Sequence, residues 1–240
     1  MKKIITFILI SFLSTNAFPG NFLNDQYDHY QNSISNSLNY KNHRDLLWVA
    51  GLVLPASFLL DQTVQEFAQE EGFYPDKISN IGDEFGHRKG YYATVGAMAI
   101  YDLITQKPWR RSLAEIRLVA EGLLVGQKVV DILKTLSARE RPNGANLRSF
   151  PSGHSAGAFG LATTLDGIYG KKIGIPAYAM AFFVASSRIH DNKHYLSDVI
   201  AGGLVGTIVA RGFVINYHKN WKITPEIHTH QLSVNLTINF

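Results

Sequence analysis

From Asp45 onward the chain alternates long apolar runs with short polar breaks. Six stretches, 45–60, 91–104, 112–136, 155–169, 175–189 and 197–217, have the length and apolar spacing of helices, with Gly, Pro and polar residues between them. They predict an all-α fold, a bundle of about six core helices. Upstream, residues 18–45 are rich in Asn, Ser, Gln and Tyr, yet Tyr27, Tyr30, Ile34 and Leu38 fall at helical spacing. A weakly amphipathic helix that packs on the domain is expected there. Downstream, Leu232, Val234, Leu236, Ile238 and Phe240 alternate with polar residues, the pattern of a short C-terminal β-strand segment with one apolar face. A lone strand needs a partner, within the chain, in a second copy by self-association, or in an outer-membrane component.

The first residues, "MKKIITFILISFLSTNA", read as a secretory signal: a positive start, an apolar stretch from Ile4 to Leu13 too short to span a bilayer easily, and Ala17 as a cleavage position. Four segments follow: a signal peptide over 1–17, a polar, weakly amphipathic segment over 18–45, a helical domain over 46–220 and a strand-like tail over 221–240.

A membrane-spanning helix needs about 20 mostly apolar residues. The longest uncharged runs here are nearer fifteen, and the helix from Ser112 carries Glu115, Arg117, Glu121, Lys128 and Asp131. A mean hydropathy of −0.02 points the same way. The expected location is therefore the periplasm, as an exported domain with peripheral membrane association left open. The formal charge of +4 includes Lys2 and Lys3 of the signal, so the mature chain lies near +2, too weak and dispersed for nucleic acid. Without cysteine, disulfides and thiolate metal sites are excluded.

Three polar clusters interrupt this pattern. "KTLSARERP" ends the third helix with Lys134 and Arg141, which share a face if the helix continues that far; Pro142 discourages it. In "SFPSGHSAG", Ser152 is a good helix cap, and the helix after it opens with unpaired N–H groups, an anion site with His154 at its mouth. "RIHDNKHYLSD" follows an apolar helix. Between His154 and Ser187 lies room for one helix out and one back, which returns Arg188 to His154. His194 and Asp198, four apart, pair imidazole with carboxylate; such a carboxylate fixes the tautomer and leaves the other nitrogen's lone pair free. His190, Asp191, Arg148 and the loop His87-Arg88-Lys89 read as rim or solvated loop residues.

Taken together, Lys134 with Arg141-Pro142, then Pro151-Ser152-Gly153-His154, then Ser187-Arg188 with His194 and Asp198, resemble the three-part signature of the phosphatidic acid phosphatase type 2 (PAP2) superfamily, which includes bacterial class A acid phosphatases and vanadium haloperoxidases. The resemblance covers roughly residues 90 to 215 and implies a PAP2-like helical bundle. It implies that Lys134, Arg141 and Arg188 hold the phosphate oxygens, with Ser152 and the Gly153 N–H completing the cradle. By the same resemblance His194 attacks phosphorus to give a phosphohistidine, Asp198 orients it, and His154 protonates the leaving oxygen and later activates water. Fixed cations and amides can stabilise a phosphoryl group in transfer without a metal, so no metal and no cofactor is expected. The expected partner is a phosphate ester, soluble or lipid-linked. Two alternatives stand beside the exported phosphatase: a vanadate-dependent haloperoxidase using the same cradle, and a non-catalytic membrane-associated module that binds an anion. Leu196, where many membrane members have proline, and Ser155, where threonine is frequent, depart from the family pattern outside the chemistry.

Overall fold

The computed structural model describes residues 22–228 and 231–238. The signal peptide expected over 1–17 lies outside the described residues. The amphipathic spacing upstream of the domain is a helix, α1 (Phe22–Leu38). A 3₁₀ segment (Tyr40–Leu46) and a π turn (Val49–Val53) lead into α2 (Leu54–Glu70), with Pro55 next to the point where the π turn passes into α-helix. Then come α3 (Asp76–Phe85), α4 (Arg88–Ile104), α5 (Trp109–Ser137), α6 (Gly153–Tyr169), α7 (Lys171–His190) and α8 (Leu196–Asn220).

Helix α6 is the hub, packed against α5, α7 and α8, while α1 lies along α8. Small residues make the close packing possible. A Cβ on Gly206 of α8 would stand 2.0 Å from the carbonyl oxygen of Ala156 in α6, so the two backbones touch where no side chain fits. One core cluster joins Tyr30 of α1, Leu118 of α5 and Val209, Phe213 and Tyr217 of α8. Phe213 is fully buried, which contributes about 1.5–3 kcal/mol. A second cluster, Ala158, Ala162, Ala181 and Val184, closes the α6–α7 hairpin.

Eight α-helices stand among the described residues: one for each of the six apolar runs, the amphipathic α1 expected from the spacing of Tyr27, Tyr30, Ile34 and Leu38, and the short α3, which no apolar run marks. One expectation about the fold class needs correction. The single C-terminal strand is not seen. Residues Trp221–His228 and Gln231–Ile238 instead form a two-stranded antiparallel hairpin, which adds no layer to the helical bundle. Alternation of side chains reports extended backbone but not how many strands share it.

The charges on α5 are not solvated. Glu115, fully buried, accepts from Arg111 Nε at 3.0 Å and Tyr217 Oη at 3.1 Å and also pairs with Lys107. Glu121 accepts from Tyr30 Oη at 3.1 Å and Arg117 Nε at 2.6 Å, with His29 Nε2 at 2.8 Å, tying α1 to α5. Apolar side chains stand outside instead: Phe58, Leu59 and Leu60 on α2, Ile100, Leu103 and Ile104 on α4, Ile175 and Phe182 on α7. Mean hydropathy averages over the chain and is blind to this inversion. Among the described residues one helix, Leu196–His218, is long and apolar enough to cross a membrane, with 72% of its most apolar window buried inside the bundle, and Tyr40–Leu46 with Val49–Glu70 passes the same test as a pair bent by 61°.

Candidate active site

The three polar clusters meet at one end of the bundle. Helix α5 stops at Ser137 because Ala138 takes a left-handed conformation (φ 43°), a turn more often made by glycine. Lys134 thus stays on the helix and Arg141 moves into the following loop, so the two do not share a helical face as a continued helix would have required. Lys134 is nearly buried, and its Nζ donates to the carbonyl oxygen of Arg148 at 2.6 Å. Ser152 caps α6, its Oγ accepting from the Ser155 N–H at 3.4 Å, and Gln127 of α5 donates to the Gly153 carbonyl at 2.9 Å. At the far end of the α6–α7 hairpin, Asn192 adopts φ 57°, and the N–H groups of Lys193 and His194 both donate to the Arg188 carbonyl. That turn aims His194 back at α6. The N–H of Ser152 donates to the Asp198 carbonyl at 2.9 Å, joining the starts of α6 and α8.

A cavity of about 360 Å³ lies between these elements, lined by Lys134, Arg141, Gly153, His154 and His194 with Gly86, His87, Tyr91 and Gln127. Of the eight residues expected at the site, five line it. Ser152 and Asp198 are fully buried behind the wall, and Arg188, 1% exposed, lies beneath His154 and Asp83. An apolar cavity of about 300 Å³ between Thr94, Met98, Tyr101, Leu165 and Tyr169 has no charged group in its wall.

The electrostatics favour an anion. Burial, then the neighbouring Arg141 and Arg148, push the Lys134 ammonium down to about 8. Burial and Arg188 likewise lower the Arg141 guanidinium. Burial lowers His194 to about 4, so its imidazole is neutral at pH 7. His194 Nδ1 stands 3.6 Å from Asp198 Oδ2, too far for a hydrogen bond, and has no other partner, so only a small approach separates them. Asp198 stays ionised: burial opposes this, but its contacts with His194 and Ser149 and the Tyr195 N–H hold the carboxyl below the usual range. His154 is brought down to about 3 by burial and by Arg188.

Several participants gave no signal in the sequence. Arg139 donates through Nη1 to Asp198 Oδ1 at 2.8 Å and Ser197 Oγ at 2.6 Å, and through Nη2 to Asp61 Oδ2 at 2.7 Å. Its guanidinium lies 4.2 Å from the Tyr195 ring centroid and 5.2 Å from that of Phe58. Asp61, on α2, is distant in sequence from everything it bonds. Ser149 Oγ donates to Asp198 Oδ2 at 2.5 Å. The rim residues also differ from their reading. His87 lines the cavity, its ring 5.7 Å from that of His154. His190 stacks on Tyr74 at 4.9 Å with Nε2 3.1 Å from Asp76, and Asp191 pairs with Arg188 at 3.1 Å. Arg148 does face solvent, paired with Asp131.

Fold and site thus define a helical bundle that gathers cations, a helix start and a neutral histidine around one anion-sized cavity. Residues 116–222 match the family model described as the PAP2 superfamily. The chain is 36% identical over 106 residues to the lipid A 1-phosphatase of Porphyromonas gingivalis, a match covering 43% of this chain and 23% of that protein. It is 33% identical over 129 residues to the lipid A 4'-phosphatase of Helicobacter pylori, covering 49% and 64% respectively. The match therefore spans about a quarter of one relative and less than two thirds of the other. Two crystal structures share the fold: Aquifex aeolicus LpxE (TM-score 0.51, 24% identity, 63% of this chain and 92% of that one) and a transmembrane PAP2-type phosphatidylglycerolphosphate phosphatase from Bacillus subtilis (TM-score 0.55, 21% identity, 77% and 98%).

Proposed function

We propose that this protein is a phosphatase that removes phosphate from a lipid-linked phosphomonoester of the lipid A type, through a phosphohistidine, at the outer side of the inner membrane. The observation that carries the reading is the pairing of a neutral, buried His194, backed by Asp198, with a cavity walled by Lys134, Arg141 and the start of α6. The lipid substrate is supported by the two lipid A phosphatase relatives and by the outward-facing Phe58, Leu59, Leu103, Ile104 and Phe182, which suit a chain seated against acyl chains.

With Nδ1 turned to Asp198, His194 Nε2 carries the free lone pair. It attacks phosphorus while the bond to the leaving oxygen breaks, and that oxygen takes the electron pair and a proton from His154. In the second half, water attacks the phosphohistidine, gives its proton to His154, and the P–N bond returns its electrons to His194. Lys134 and Arg141 meet the equatorial oxygens, where charge accumulates. His154 must be protonated for the first step, and in the empty site it is neutral at pH 7. The arriving phosphate supplies the negative charge that lets it gain the proton.

The test is phosphate release by the purified chain with chelator present, comparing a soluble phosphomonoester with lipid A and phosphatidylglycerolphosphate in mixed micelles. Preference for lipid A supports the reading. Equal or better turnover of the soluble ester replaces it with a scavenging acid phosphatase, and turnover abolished by chelator overturns the metal-independent chemistry.

A further inference from the structure

Arg188, which the phosphatase reading assigns to a phosphate oxygen, already carries an anion from this chain. Asp83 Oδ1 stands 2.5 Å from Arg188 Nη1 and 3.1 Å from His154 Nε2, and Oδ2 stands 3.5 Å from Lys193 Nζ. The contact with His154 is close but not aligned as a hydrogen bond, since Nε2 has no bonding partner. The remaining Arg188 nitrogen in an ion pair faces Asp191 at 3.1 Å. Lys134 and Arg141, by contrast, form no ion pair with a carboxylate among the described residues, and Asp198 is taken up by Arg139, Ser149 and the Tyr195 N–H. The cavity is thus anion-free on one wall and carboxylate-capped on the other.

The carboxylate arrives on α3, which sits on the site by close contact. A Cβ on Gly82 would stand 2.6 Å from Ser187 Oγ, and one on Gly86, just past the helix, 2.7 Å from the His154 ring. Ser79 bonds the Asp191 carboxylate. The opposite face of α3 is apolar and exposed at Ile78, Ile81 and Phe85. Nothing covers that face from outside among the described residues, so α3 is held chiefly by its polar side.

We propose that Asp83 is an internal competitor of phosphate: it pairs with Arg188 and lies against the neutral His154 in the empty enzyme and is displaced, with α3, when a phosphate group enters. This rests on the phosphatase reading and adds a device that weakens phosphate retention after turnover. A dianion brought against His154 and Arg188 meets the Asp83 charge within a few ångströms, so binding requires that charge to move away or be repelled. Release of product is assisted by its return.

The test uses the full chain in detergent micelles. Inorganic phosphate affinity is measured for the wild type and for Asp83→Asn, together with kcat and product inhibition. Competition predicts that Asp83→Asn binds phosphate about tenfold more tightly and is inhibited more strongly by its product. Unchanged or weaker phosphate binding overturns the proposal, and a fall in kcat with unchanged affinity assigns Asp83 instead to positioning His154. Hydrogen exchange of residues 76–86 in the wild type gives a reading that needs no variant: phosphate is expected to lower their protection, and equal or greater protection overturns displacement. A wild type that binds no phosphate at all sinks the phosphatase reading itself, an outcome distinct from both.

Discussion

At the scale of single residues, the site separates charge it needs from charge it must acquire. His194 is kept neutral by burial above about pH 4, the state the proposed mechanism requires of it. His154 is neutral too, and its depressed value, about 3, is that of the empty site. On the phosphatase reading a bound phosphate should raise it, so at pH 6 to 7 binding is expected to take a proton from solvent; Lys134, at about 8 when empty, should add a second uptake near pH 8. Calorimetry of phosphate binding in two buffers of different ionisation enthalpy should show this uptake, and His154→Gln should abolish the part below pH 7. Above pH 8 the free enzyme loses the Lys134 charge, and affinity falls. His194→Ala should lose about 10⁴-fold or more of turnover while still binding phosphate, since the cradle remains. Retention of wild-type turnover would remove the phosphohistidine from the mechanism.

Arg139 shows what the sequence could not disclose at this scale. The histidines and the cations of the three clusters stand out in sequence because polar groups interrupt apolar runs at a helix end, a helix start and a turn, and because together they resemble a family signature. Arg139 lies two residues before Arg141, and its partner Asp61 stands at the end of an apolar run 78 residues upstream, so nothing in the sequence joins them. Only the tertiary fold reveals that both oxygens of Asp61 and one of Asp198 share the Arg139–Ser197 pair. Arg139→Ala leaves two buried carboxylates facing each other and should cost about 2–3 kcal/mol of stability, with a loss of kcat larger than any change in KM. Arg139→Lys, which can hold one carboxylate but not bridge two, should recover part of the stability and little of the rate. Thermal unfolding and steady-state kinetics on the two variants separate these effects.

At the scale of elements, apolar run length found the helices that are apolar and missed those that are not. Helix α3 has only Ile78, Ile81 and Phe85 on one face, short of the pattern that marks a buried helix, yet it covers the site. The C-terminal alternation was read as one strand where the backbone folds into a hairpin, because period two carries no information about the turn. Small residues carried more than their hydropathy suggested. Gly206 meets Ala156 and Gly160 meets Gly206 backbone to backbone, so the α6–α8 seam, which sets the distance from Ser152 to Asp198, has no room for a side chain. Gly206→Val should destabilise by about 3 kcal/mol or more, and chemical denaturation with activity measured before the transition should show the surviving fold impaired in kcat.

At the scale of the whole molecule, polarity is turned inside out along α5. Glu115 and Glu121 are internal knots that tie α1, α5 and α8, while large apolar side chains face outward on α2, α4 and α7. Charges counted along a sequence do not say which way they point, which is why residues 112–136 argued for an aqueous setting. The reversal predicts that the purified chain needs detergent: without it, dilution below the critical micelle concentration should cause self-association visible by light scattering, and a monodisperse chain in plain buffer would contradict the lipid-facing exterior.

The site also divides along the chain. Every group that the phosphatase reading places in the chemistry stands between Lys134 and Asp198, whereas Asp61, Asp83, His87 and Tyr91, which brace, cap or line the cavity, come from the front half. The proposed reaction therefore leans on both halves: Asp61 holds Arg139 against Asp198, and Asp83 lies against Arg188 and His154, so a change in the front half reaches the chemistry through its supports.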